Sequence, residues 1–117
     1  MIILFGFISI IINGQCISNE YLQGRWEEDK GINGNFIIFF SYETDGELNT
    51  KIISSATGNE IKVLSARIEG GEFYLVTFNE NHDWYALSKY TKIDANTMEV
   101  SVKNEYGTDK LTYKRVR

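Results

Sequence analysis

The sequence predicts an all-β fold, an eight-stranded antiparallel up-and-down barrel preceded by a short N-terminal helical turn. Three observations carry this prediction. Turn signals recur after residue 30 at Gly31–Asn35, Thr44–Gly46, Thr57–Asn59, Glu69–Gly71, Asn79–Asp83, Asp94–Thr97 and Asn104–Asp109, and their Gly, Asn and Asp residues suit tight reversals. These reversals divide the chain into segments of about 6–12 residues rich in β-branched and aromatic side chains. No segment sustains the i, i+3, i+4, i+7 stripe of an amphipathic helix.

The chain has 117 residues, and the first twelve are Met, Ile, Leu or Phe except for Gly6 and Ser9. Twelve apolar residues fall short of the roughly 20 that a helix needs to cross a bilayer. They match the apolar core of a secretory signal peptide, although no Lys or Arg precedes them. Residues 1–15 are therefore expected to be a signal peptide, cleaved near Gln15 or Ser18, and residues 16–117 a single domain. The competing reading is a buried N-terminal strand or helix. The one cysteine, Cys16, is a candidate lipidation site, although Asn13 and Gln15 stand where a lipoprotein signal has an aliphatic and a small residue. The expected location is exported, periplasmic or secreted, with a membrane-anchored lipoprotein as the variant.

Within the domain, Tyr21-Leu22-Gln23 reads as a helical turn leading into a first strand through Trp26. Phe36–Phe40 and Phe73–Val76 are apolar on both faces, so one face of each lies inside and the other is a candidate contact surface. Thr97–Lys103 alternates cleanly, with Met98, Val100 and Val102 on one side and Thr97, Glu99, Ser101 and Lys103 on the other. Lys110–Arg117 does the same, with Leu111 and Tyr113 inward. Short hairpins without a long crossover favour a barrel over a two-sheet sandwich. Closure sets Glu27-Glu28-Asp29 of the first strand opposite Lys114-Arg115-Val116-Arg117 of the last, an electrostatic match.

The Gly-x-Trp of Gly24 and Trp26 at the start of the first strand, together with Leu111, Tyr113 and Arg115 on the last, resembles the signature of lipocalin-like, calycin-type barrels, and most closely their small bacterial members. The resemblance implies that Trp26 plugs one end of the barrel, that Arg115 packs across the indole and donates to nearby carbonyls, and that Gly24 lets the preceding turn pack close. The larger transport lipocalins are about half again as long, which leaves this chain little length for a roomy interior.

Composition narrows function. A net charge of −4 and a pI near 5.0 argue against a nucleic-acid binder. One cysteine makes neither an internal disulfide nor a zinc cluster. The single histidine, His82, sits in a polar loop, and no nucleophile elbow or phosphate-binding loop occurs, so no enzyme, cofactor or metal is expected. Consecutive strand residues alternate faces, so Glu27, Glu28 and Asp29 do not converge on a cation. The aromatics suggest instead either a packed interior or a small apolar pocket. Phe40, Arg67, Tyr85, Tyr90 and Tyr113 are the candidate ligand-binding residues, with the phenols orienting a ligand and Arg67 pairing with an anionic head group. The expected function is a lipocalin-like module binding a small hydrophobic ligand. The alternative is a protein-interaction domain of the hydrolase- or protease-inhibitor type with a filled barrel.

Overall fold

The computed structural model describes residues 16–29, 36–42, 48–54, 58–80 and 83–116, with the backbone alone for 36–42. Residues 1–15, the expected signal peptide, and His82 lie outside the described residues. The fold is an all-β antiparallel up-and-down sheet, strongly curled, with one short helix before it. Helix α1 is Asn19–Leu22; Ser18 caps it by accepting from the Tyr21 amide at 3.2 Å, one of the donors that a helix start leaves open. The strands are β1 (Gly24–Glu28), β2 (Phe36–Tyr42), β3 (Leu48–Ser54), β4 (Glu60–Glu69), β5 (Glu72–Asn79), β6 (Trp84–Asp94), β7 (Thr97–Asn104) and β8 (Gly107–Val116).

Each strand pairs antiparallel with the next. The ladders β4–β5, β5–β6, β6–β7 and β7–β8 are long, whereas β3 and β4 share two residue pairs, Ile52 with Ile61 and Ile53 with Glu60. The curl also brings β8 beside β1, pairing Trp26 with Arg115, Glu27 with Lys114 and Glu28 with Tyr113. The electrostatic match between these ends is thinner than the sequence suggests. Glu27 faces Lys114, but its carboxylate lies 3.7 Å from Arg25, and the Lys114 ammonium donates to Thr97 Oγ1.

Alternation sets the core. Phe73 and Leu75 of β5, Met98 and Val100 of β7, and Trp26 of β1 are fully buried in one cluster with Leu22 of α1. Two bulges interrupt the pattern. One, between Val63 and Ser65, turns Leu64 out to solvent. The other, between Lys92 and Asp94, precedes Thr97, which is buried although period-two reading places it outside. Tyr21 packs over that corner and donates from its hydroxyl to the carbonyls of Asp94 and Thr97 at 2.7 and 3.0 Å.

One end of the sheet is stoppered by aromatic and guanidinium groups. Trp26 has no exposed surface, and its Nε1 donates to the Leu22 carbonyl at 3.1 Å. The Arg115 guanidinium lies 4.3 Å from the indole centroid and 5.3 Å from the Tyr21 ring. Its Nη1 donates to Gln23 O and its Nη2 to Tyr21 O, both at 2.8 Å. Ala95 O receives further bonds from Nε and Nη2. Gly24 runs at φ +108°, where a side chain is strained, and a Cβ there would sit 3.7 Å from Arg115 Nη1.

Truncating Trp26 to Ala removes the fully buried indole and is expected to cost about 3–5 kcal/mol. Arg115→Lys keeps the charge but loses the planar fork, at about 1–3 kcal/mol, and Gly24→Ala is expected to cost about 1–3 kcal/mol through backbone strain. Urea unfolding midpoints read all three. Unchanged midpoints for Trp26→Ala and Arg115→Lys would mean that this end is held by other contacts.

Candidate functional site

The end of the sheet away from Trp26 is loosely filled because its inward residues are small. On β5 and β6, Thr77 faces Ala86 and Leu75 faces Ser88 in the ladder. Their short side chains leave a cavity of about 240 Å³ lined by residues of β3 to β8. Tyr90 and Tyr113 form its floor, with ring centroids 5.9 Å apart, and Phe73 supports Tyr90 from below at 5.4 Å. Ile52, Ile61, Val102 and Leu111 supply apolar wall. Asn79, Trp84, Asn104 and Asp109 stand at the mouth, next to the β5–β6 and β7–β8 turns. Tyr106 packs edge-on against Trp84 there, with centroids 5.1 Å apart.

The polar atoms inside are the informative ones. Tyr90 is 2% exposed and Tyr113 4%, and Thr77 and Ser88 are buried as well. Among the described residues, none of these four hydroxyls has a hydrogen-bond partner. Among the described residues the side-chain oxygen sealed from solvent without a partner is Thr50 Oγ1; the four hydroxyls instead open onto the cavity, a space that can hold water or a ligand. Burial pushes the Tyr90 phenol well above its ordinary value, and Tyr113 beside it adds to the effect. Burial also raises Tyr113, with a further contribution from the Glu28 carboxylate. Glu28, opposite Tyr113 in the ladder, is itself raised by burial. At the stoppered end, burial moves Tyr21 up to about 12, with Arg115 opposing and Asp94 assisting.

The structure separates the five candidate ligand-binding residues. Tyr90 and Tyr113 meet in the cavity. Tyr85 is 62% exposed on the outer face, stacked at 4.8 Å on Phe78. Arg67 is also outside, donating to Glu69 Oε2 at 2.8 Å and lying over the Tyr74 ring. Phe40 pairs in the backbone with Gly24 and Thr50 near the stoppered end; its side chain lies outside the described residues. Tyr85 and Tyr90 differ in parity, and a regular strand cannot turn both inward. Trp84, Ala86 and Ser88 share the parity of Tyr90, which is the signal that would have found them. Cys16 is half-buried beside Gly71, and the next residue, Ile17, is fixed by a 2.8 Å bond from its amide to Gly71 O. Among the described residues, no group of three or more His, Cys, Asp or Glu could hold a metal, and no helix is long and apolar enough to cross a membrane.

Comparison with protein-family models, with curated proteins and with solved structures finds no match to this chain.

The buried phenols make stability fall at high pH. A phenol whose folded value is raised supports the fold fully below its unfolded value of 10.0. That support is lost as pH climbs through the folded value, about 12 for Tyr21. The urea midpoint is therefore expected to drop as pH rises from about 10 towards about 12, and to drop less in Tyr21→Phe. Glu28 follows the same sign in acid: its raised value means that stability is lost as pH rises from 4.5 through the folded value. Glu28→Gln is expected to raise the midpoint at neutral pH and to have no effect once the carboxyl is protonated.

Proposed function

We propose that this protein is an exported, lipocalin-like binding module whose eight strands close into a barrel, stoppered at one end and open at the other to a small ligand. The observation that carries the reading is the cavity, onto which the hydroxyls of Thr77, Ser88, Tyr90 and Tyr113 open without a hydrogen-bond partner among the described residues. Apolar walls with a few convergent polar groups are the usual chemistry of a small-molecule site. At about 240 Å³ the space lies below the roughly 300–1,000 Å³ of pockets for drug-sized ligands, so the ligand is small. The backbone pairing of β1 with β8 and the Trp26–Arg115 stack support the closed, lipocalin-like architecture. The apolar run of residues 1–12 supports export. Were Cys16 lipidated, its place beside the β4–β5 turn would set the stoppered end towards the bilayer and the mouth away from it.

A second reading, a protein-interaction domain, draws on the outer face of β4 to β6, where Leu64, Tyr85 and Leu87 are exposed. The two readings diverge in what travels with the protein. Native mass spectrometry of material purified from its own host is expected to show a small molecule bound one to one, absent from an Ala86→Leu variant with the cavity filled. A ligand-free spectrum together with a protein partner retained by the Ala86→Leu variant would favour the second reading. The same spectra report the mature N-terminus, expected between residues 16 and 19.

A further inference from the structure

The cavity's charge is one-signed. Of the residues lining it, Asp109 is the one that carries a formal charge, and among the described residues its carboxylate makes no ion pair or hydrogen bond. Glu28 stands behind the floor opposite Tyr113 and likewise has no ion pair or hydrogen bond among the described residues. The cations of the surrounding strands do not answer them. Lys62, Lys103 and Lys110 are exposed, and they sit on outward-facing register positions opposite Phe78, Leu87 and Ser101. Arg67, which could have served an anionic ligand, is bound to Glu69 on the outer surface. The remaining wall is aromatic: Trp84 at the mouth, and Tyr90 and Tyr113 on the floor. Aromatic faces carry the negative lobe of a quadrupole and attract cations, most strongly where water is excluded. The unpartnered phenol oxygens of Tyr90 and Tyr113 add acceptors in the same space.

We infer that the cavity selects a small organic cation, a protonated amine on a compact apolar body, with Trp84, Tyr90 and Tyr113 around it and Asp109 at the entrance. This inference rests on the reading of the cavity as a ligand site and specifies the ligand's class. A carboxylate of the same shape meets the Asp109 carboxylate and no cation. A neutral isostere fills the apolar wall but gains nothing from Asp109.

Three isosteric probes decide it: 2-phenylethylammonium, 2-phenylethanol and phenylacetate, each titrated into the purified protein by calorimetry. Amide NMR shifts at Trp84, Ser88, Tyr90 and Tyr113 locate the binding. The ammonium probe is expected to bind in the cavity more tightly than the alcohol, and phenylacetate weakest of all. Asp109→Asn, an exposed change outside the core, is expected to weaken the ammonium about three- to fivefold, the scale of an exposed charge pair, and to leave the alcohol unchanged. Phenylacetate binding as tightly as the ammonium, or an ammonium affinity unaltered by Asp109→Asn, would overturn the cation assignment. Binding of the alcohol or phenylacetate in the cavity would then leave the ligand-site reading standing. Failure of all three probes to shift the cavity amides would overturn both.

Discussion

Arg115 is the residue on which the rest of the structure depends. Its guanidinium collects groups that the chain scatters widely: the helix-end carbonyls of Tyr21 and Gln23, the turn carbonyl of Ala95 and the face of Trp26. Without a donor, those carbonyls would be left open where a helix ends and a hairpin reverses, at the edge of a sealed core. A planar fork can bond them while lying flat on the indole; a lysine ammonium reaches one or two of them and stacks less well. Because Arg115 belongs to the last strand and Trp26 to the first, the interaction that seals the end also joins β8 to β1. Gly24, at a backbone angle that side chains resist, is the local concession that brings the chain into line.

Sealing one end concentrates the large side chains there. Trp26, Phe73, Leu22, Leu75, Met98 and Val100 are the largest fully buried residues, and they lie between α1 and the phenol floor. Beyond that floor, Thr77, Ala86 and Ser88 leave space unfilled. An unfilled space costs stability, and the packed half must offset it. This division of labour along the curled sheet, with close packing at one end and open space at the other, is the physical basis for reading the loosely filled end as a site.

Much of this was legible in the residues wherever period-two alternation ran unbroken. Met98 and Val100 on β7 and Tyr113 on β8 can be assigned inward from the pattern alone, and they are buried. The Gly-x-Trp beginning and the late Arg are local features, visible without any knowledge of pairing. Legibility failed where the phase of the strand changed. The bulges between Val63 and Ser65 and between Lys92 and Asp94 shift which residues face inward, and no residue type announces either one. Choosing Tyr85 beside Tyr90 followed aromatic character over parity, while Trp84 and the small residues Ala86 and Ser88 define the space. Small residues are silent in a sequence because a cavity is made by what is missing. The charge of Arg67 suggests a partner for an anionic ligand, but its position on β4 turns it to Glu69 and the Tyr74 ring. The charge match on the end strands is partial for a related reason, since register sets Glu27 against Lys114 but Arg115 against Trp26 and Tyr113 against Glu28.

The most direct test is a double-mutant cycle between Trp26 and Arg115, using Trp26→Phe, Arg115→Met and the pair, each followed by urea unfolding. A half-buried guanidinium stacked 4.3 Å from the indole centroid predicts a coupling of about 0.5–2 kcal/mol. The double variant should therefore lose less than the sum of the singles. Additivity within about 0.3 kcal/mol would contradict the account, because two residues that seal one end together cannot act independently.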